Sequence, residues 1–260
     1  MDHVGIDIGS RESQVCIRNS AGEITEEVRC RTGELGAVLK DRRKSRVIVE
    51  TCTEAFRIAD VAIAEGHEVR VVPATLVRSL GVGQRGLKND QRDARLLSEA
   101  SSRIDLPSVH IPSATSREWK ALSTSREALV KARTQIISTI RCYVRSRRSS
   151  AIRATPESLP PKVRAALLET EAGLPQHIER LLLVLESLNE QIAAAAKELT
   201  DVAEKNELTR RLMSVPGVGP VTAVRFVAAI DKVERFPSGV FVASYLGLTP
   251  GENTTGFRTK

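Results

Sequence analysis

The repeat of apolar residues changes once along this chain, near residue 115, and that change divides what it can fold into. Before it, short runs at 3–9 and 14–18 alternate apolar and polar, the period of half-buried strands, and 46–50 and 68–72 are compact β-branched runs that also suit strands. Residues 23–30 can pair as a further strand. Ser10-Arg11-Glu12-Ser13 joins the first two runs as a hairpin, residues 54–65 suit a helix, and Gly66 stands where that helix should stop. Three successive strands followed by strand, helix and strand predict a mixed α/β sheet, not a doubly wound one. Residues 90–102 read as the next helix.

After the change the pattern is helical. Leu122, Leu129, Ile136 and Tyr143 stand seven apart, as do Val130, Ile137 and Val144, so 116–148 reads as one long helix. A proline-rich break at 156–161 and a short helix follow. Ile178, Leu181, Leu185, Leu188, Ile192, Ala195, Leu199 and Val202 then keep a 3-4 spacing, the signature of a coiled-coil seam. The seam is expected to join two chains, and a helical hairpin packed on its own domain is the other way to cover it. In the last part, Val215-Pro216-Gly217-Val218-Gly219-Pro220-Val221-Thr222-Ala223 between two helical segments is a helix-hairpin-helix pattern. Its glycines let the backbone turn and approach another chain closely, and the second helix offers free N–H groups to a phosphate. The expected division is 1–114 for the sheet domain, 115–206 for the basic long helices and coiled coil, and 207–260 for the hairpin domain.

Charge points to the partner. The formal net charge is +7. Between Arg117 and Arg153 ten basic residues face only Glu118 and Glu127, a local surplus larger than that of the whole chain. Concentrated positive charge favours a polyanion, because neutralised phosphates release condensed counterions. Arg133, Arg141, Arg145, Arg147 and Arg148, with Gly217 and Gly219, are the expected nucleic-acid contacts, and DNA the expected partner. Aromatics make up only 3%, which argues against a base-stacking platform. No apolar run reaches the length that spans a bilayer, and no secretory leader is expected. Cys16, Cys30, Cys52 and Cys142 lack metal-ligand or redox spacing, so a cytoplasmic protein with reduced thiols is expected.

Four carboxylates carry the chemistry. In Val4-Gly5-Ile6-Asp7-Ile8-Gly9 the strand period puts Gly5, Asp7 and Gly9 on one face, so the glycines are expected to clear space around the acid. Glu50 ends the run Arg46-Val47-Ile48-Val49-Glu50. Asp90 and Asp93, three apart at the start of a helix, share one face. Converging carboxylates repel unless cations neutralise them, and hard oxygen donors without His or Cys suit Mg2+ or Mn2+. Two such ions would activate a nucleophile and stabilise a leaving oxygen in phosphoryl transfer. Singly, each acid has a structural reading as well: Asp90 as a helix cap, Asp93 as a dipole partner, Glu50 as a solvated strand end.

Asp7 in Gly-Ile-Asp, Glu50 in Val-Glu-Thr, and Asp90 and Asp93 in Lys-x-Asp-x-x-Asp-Ala-Arg resemble the DEDD-type transposases of the insertion-sequence 110 family, relatives of the Piv-type DNA invertases. Residues 215–223, Phe236, the run Ala243-Ser244-Tyr245-Leu246-Gly247-Leu248-Thr249-Pro250, and Thr254-Thr255-Gly256 resemble that family's second domain. The resemblance implies an RNase H-like (RuvC-like) domain, a coiled-coil connection, and a C-terminal domain bearing a nucleophilic serine. It also implies a composite active site across subunits of a homodimer or homotetramer, and a structured guide RNA that pairs with target and donor DNA. The chain departs from the pattern at the serine, where Thr255 precedes Gly256 and its extra methyl crowds Oγ. Only four residues follow Gly256, where the family continues with a basic segment and further helices. On that reading the product is a shortened transposase, defective in the full reaction. A metal-dependent RuvC-like nuclease needs only the carboxylates, and a non-catalytic nucleic-acid-binding remnant needs none of them. Gly5-Ile6-Asp7-Ile8-Gly9 also resembles the first phosphate loop of actin-like ATPases and kinases, whose second Asp-Gly loop and adenosine motif are missing here.

Overall fold

The computed structural model describes residues 1–79, 90–147, 151–170, 173–248, 254–255 and 258–259, with backbone alone at 78, 79, 90 and the last two pairs. They form two compact units, Met1–Pro112 and Ser113–Lys260, so the first division falls two residues before the expected one.

In the first unit, β1 (Asp2–Asp7), β2 (Glu12–Arg18) and β3 (Ile24–Arg31) form an antiparallel meander. After α1 (Leu35–Leu39), β4 (Ser45–Glu50) returns parallel to β1. Helix α2 (Ala55–Ala64) then leads to β5 (Glu68–Val72), parallel to β4, and the strand order is 3-2-1-4-5. Gly66 ends α2 with φ +82, a backbone state that L side chains resist. A short helix α3 (Ala74–Ser79), not foreseen from the sequence, follows β5, and α4 (Asp90–Arg103) completes the unit.

The alternation of β1 and β4 sorts two apolar layers. Val4, Ile6, Val47 and Val49 pack with Leu35, Leu39, Ile58, Ala59 and Ala62 beneath α1 and α2. Ile48 and Val72 face the other way and pack with Val77, Leu97 and Leu106. The sheet is therefore covered on both faces, as parallel strands require. His67 is buried between these elements: its Nδ1 accepts from the Ser45 N–H at 3.2 Å and its Nε2–H donates to the Leu39 carbonyl at 3.0 Å.

The second unit is built on α5 (Ala114–Arg147) and α7 (Gln176–Lys205). Helix α6 (Leu159–Leu168) carries Pro160 and Pro161 in its first turn, where a missing N–H costs nothing, so the expected proline break is the start of a helix. Ile137, Ile140 and Val144 pack with Ile178, Leu182 and Leu185 at one end, and Trp119 and Leu122 with Leu199 and Ala203 at the other. Helices α5 and α7 are thus antiparallel, and α5 of the same chain fills the seam. The buried row of α7 is Ile178, Leu182, Leu185, Ile192, Leu199 and Ala203. The expected positions Ile178, Leu185, Ile192 and Leu199 lie in that row, whereas Leu181, Leu188, Ala195 and Val202 flank it half-buried. Arg164 ties α6 to α7, with hydrogen bonds to Glu179 at 2.8 Å and Glu186 at 2.5 Å.

Helices α8 (Glu207–Met213) and α9 (Pro220–Ile230) follow, then α10 (Gly239–Tyr245) and the two-residue strands β6 (Thr254–Thr255) and β7 (Arg258–Thr259). Asp231, just past α9, has φ 57, a conformation most residues avoid. Its carboxylate accepts from the Ser113 N–H at 3.1 Å and from the Ser113 and Ser116 hydroxyls at 2.6 Å each, at the N-terminus of α5 where negative charge is favoured. Asp231→Ala removes those bonds while keeping the strained backbone, and should destabilise the second unit by about 2–3 kcal/mol. Chemical denaturation measures this, and a loss below about 0.5 kcal/mol would show that the three bonds add nothing.

Candidate functional site

Asp7 and Glu50 are the last residues of β1 and β4, which run side by side in parallel. The register pairs Gly5 with Ile48 and Ile6 with Val49, so the next step sets Asp7 beside Glu50. In-register residues of neighbouring strands point to the same face. Ile48 belongs to the layer that contains Leu97 of α4, so both carboxylates are on the face that α4 covers.

Helix α4 runs antiparallel to β1. The His3 ring and the Ser101 hydroxyl are 2.8 Å apart at one end. In the middle, a Cβ built on Gly5 would lie 2.3 Å from the Ala94 carbonyl oxygen and 2.6 Å from the Ser98 nitrogen. From residue 3 to residue 7 a strand advances about 13 Å. The same distance along a helix is about nine residues, which counts back from Ser101 to the vicinity of Asp93. Asp93 is buried there, and Asp90 is the first residue of the helix. The sequence leads one to expect that Gly5 clears space around the acid; in the structure its missing side chain instead admits the backbone of α4. Gly9 does something else: its Cβ would lie 2.2 Å from the Glu12 carbonyl, so it serves the β1–β2 turn and not the carboxylates.

Two neighbours escape a reading of the sequence. Gln14 on β2 is registered opposite Asp7. Glu27 on β3 holds the start of α4 from the side, accepting from Arg95 at 2.5 and 2.6 Å and from Gln91 at 3.2 Å. The Arg95 hydrogen bonds hold the Glu27 carboxyl below the usual carboxylate range. A lowered folded-state pKa means the pairing stabilises fully above that range and is lost as pH falls through the folded value. Glu27→Gln should therefore flatten the acid limb of the first unit's stability profile. Thermal melts between pH 3 and 6 check this, and an unaltered acid limb would show that Glu27 does not anchor the helix.

Among the described residues no group of three or more His, Cys, Asp or Glu is already drawn together as a metal-holding cluster. Asp7, Glu50 and Asp93 each have interactions within the protein, and the Asp90 side chain lies outside the described residues. The donor chemistry of these acids, oxygen ligands only, suits a hard divalent cation.

In the second unit the expected nucleic-acid contacts separate. The Arg133 side chain is only 19% exposed and is tied to Asn189 at 3.3 Å and to Glu157 at 3.4 Å, so it braces the helical pair. Arg141, Arg145 and Arg147 are exposed on the last turns of α5, and the Arg147 guanidinium lies 5.5 Å from the Tyr143 ring centroid. Arg148 lies outside the described residues. Between α8 and α9 the Val218 N–H donates to the Val215 carbonyl at 3.1 Å, and Gly217 has φ +86, so Pro216-Gly217 forms a type II turn. Gly219 has φ -93 and ψ 175, an ordinary extended residue at the α9 cap, so only Gly217 is required by conformation. A Cβ at either glycine would meet nothing within 4 Å, which leaves open space at the turn. Thr255 pairs with Arg258 in the β6–β7 ladder, and its side chain lies outside the described residues. No described helix is long and apolar enough to cross a membrane.

A mixed five-stranded sheet of order 3-2-1-4-5, with acids at the ends of its first and fourth strands and a helix laid over them, defines an RNase H-like α/β fold of the DEDD transposase kind. Residues 4–146 match the profile of a DEDD-type family described as Transposase, and residues 209–260 match one described as Transposase IS116/IS110/IS902 family. The chain belongs to the insertion-sequence 110 family of transposases. It is 27% identical to the "Transposase for insertion sequence element IS1111A" of Coxiella burnetii, covering 97% of this chain and 70% of the relative. It is 26% identical to the "Transposase for insertion sequence element IS1328" of Yersinia enterocolitica, covering 97% and 75%. A "Probable family 20 transposase" of Pseudomonas aeruginosa is 25% identical, with 98% and 76% covered.

Proposed function

We propose that this chain cuts and rejoins DNA at a metal centre held by Asp7, Glu50, Asp90 and Asp93, in a RuvC-like first domain. The observation that carries the reading is the adjacency of Asp7 and Glu50 at parallel strand ends, on the face where α4 brings in Asp93. Mg2+ or Mn2+ bound there would polarise a phosphodiester and favour departure of its leaving oxygen. The protein's own part is positional. Gly5 lets α4 sit against β1, and Glu27 with Arg95 fixes its first turns. The Thr255 hydroxyl is the proposed nucleophile of the C-terminal domain, in place of the family's serine. Arg141, Arg145, Arg147 and Arg148 neutralise phosphates, and the turn at Gly217 and Gly219 grips backbone as a helix-hairpin-helix without reading sequence.

A structured guide RNA is the proposed second nucleic acid, and a homodimer or homotetramer the proposed assembly, in the cytoplasm. Because α5 occupies the buried row of α7, a partner's helix would meet the other side, where Leu183 and Val184 are exposed. The test is incubation of the full chain with supercoiled plasmid carrying the element ends and the adjoining RNA, with and without Mg2+. Metal-dependent joined product, abolished in Asp93→Asn, is expected. Metal-dependent nicking without joining would reduce the reading to a RuvC-like nuclease, and DNA binding with neither would leave a non-catalytic remnant.

A further inference from the structure

The end of α5 holds a feature that phosphate neutralisation alone does not use. Arg141 and Arg145 stand one turn apart and form a ridge between two hollows. On one side a hollow of about 320 Å³ is lined by Ser138, Arg141, Cys142 and Arg145. On the other a cavity of about 360 Å³ is bounded by the same two arginines, by Arg153, and by an aliphatic wall that includes Val144, Ile152, Leu159 and Val163. Val144, Leu159 and Val163 are buried, so the wall is continuous with the core of the helical pair. Among the described residues no acidic residue lines either hollow.

Among the described residues, the charge of this cavity is uncompensated. Arg18, Arg46, Arg70, Arg95, Arg133 and Arg164 all meet a carboxylate within 4 Å, as exposed and half-buried arginines commonly do. Among the described residues no carboxylate pairs with Arg141, Arg145 or Arg153. Arg141 uses one donor on the Ala154 carbonyl at 3.2 Å, and a guanidinium has five. Three cations around an aliphatic slot therefore combine strong demand for a phosphate with a surface that water wets poorly.

We propose that this cavity seats one unpaired nucleotide, its phosphate on Arg141, Arg145 and Arg153 and its base against Val144, Ile152, Leu159 and Val163. The volume lies at the low end of small-ligand sites and admits a base and sugar, not a duplex. A stacked, paired base cannot turn into the slot, whereas a splayed base of a single strand or bulge can. With no aromatic residue among the described ones lining it, the slot discriminates unpaired from paired nucleic acid and not one base from another. The inference rests on the nucleic-acid reading above and adds to it a preference for unpaired segments.

Ala151 is exposed at the cavity edge, so Ala151→Leu fills the slot, alters no charge and offers no aromatic face. The full-length variant and its parent are titrated by fluorescence anisotropy against a short single-stranded DNA, the RNA of the same sequence, and the duplex DNA. Loss of one seated base should weaken single-strand binding by roughly tenfold and leave duplex binding within about twofold. An effect on only the RNA or only the DNA strand assigns the source of the nucleotide. Arg145→Gln should lower the single-strand salt slope by about 0.7. In the parent protein, photocrosslinks from thio-substituted single strands should fall within residues 141–163, a readout independent of any variant's folding. Equal weakening of single strand and duplex by Ala151→Leu, unaltered affinity, or crosslinks confined to other segments would each overturn the assignment. Plasmid nicking by the same preparations separates the two readings: if nicking persists while the cavity proves irrelevant, only the cavity proposal fails.

Discussion

Asp7→Asn is expected to lose the proposed metal-stimulated nicking by about a thousandfold or more, and with it the stabilisation that Mg2+ at the proposed centre would confer on the first unit. The substitution keeps the side chain's size and removes one negative charge from the end of β1, where Glu50 is its in-register neighbour. A cation that binds the folded state alone stabilises by RT ln(1 + [L]/Kd), about 2.7 kcal/mol at a hundredfold excess over Kd. For a unit of this size each kcal/mol moves the melting temperature by roughly 4–8 °C. The parent should therefore melt higher in millimolar Mg2+ than in EDTA by ten degrees or more at saturation, and Asp7→Asn should show almost none of that rise. Calorimetry in both buffers decides it. A full metal-induced rise in Asp7→Asn would mean that the ion, if bound, is held elsewhere.

What the sequence made legible depended on period. Strand alternation alone placed Asp7 on the face of Gly5, because a period of two admits only two faces. The strand end at Glu50 was readable from its β-branched run, and the helix from Asp90 from its own helical pattern. The helical seam was only half readable. Leu181, Leu182 and Leu183 are consecutive, so composition does not tell which of them faces inward, and the structure buries Leu182. The choice is made by the packing of α5 against α7, a tertiary property. Likewise nothing in a run of basic residues separates Arg133, drawn to Glu157 and Asn189, from Arg141 and Arg145, which meet no carboxylate among the described residues. Gln14 and Glu27 were invisible because their relation to the site exists only through the β1–β2 and β2–β3 registers. Gly9 was misassigned because face alternation ignores the turn that begins there.

The other large effect follows from how closely α4 approaches the sheet. Gly5→Ala places a methyl group 2.3 Å from the Ala94 carbonyl oxygen and 2.6 Å from the Ser98 nitrogen, with the Leu97 Cβ at 3.1 Å. The two nearest atoms are helix backbone, so no rotamer change relieves the clash and α4 must withdraw by about 1 Å. Withdrawal opens the contact of Leu97 with Ile48 and Val72, and lengthens the His3–Ser101 bond at the far end. Overpacking of this kind costs about 3 kcal/mol or more, a drop in melting temperature of roughly 10–20 °C. Gly33→Ala is the matched control, since a Cβ there meets nothing within 4 Å, and it should melt within a degree or two of the parent. The same withdrawal carries Asp93 away from Asp7. Gly5→Ala should therefore weaken the Mg2+ stabilisation and the nicking activity even at temperatures where the protein remains folded. The loss should exceed what the unfolded fraction explains, which separates displaced carboxylates from simple instability. A Gly5→Ala protein that melts with its parent would mean that α4 does not rest on β1, and the convergence of Asp93 with Asp7 and Glu50 would lose its support.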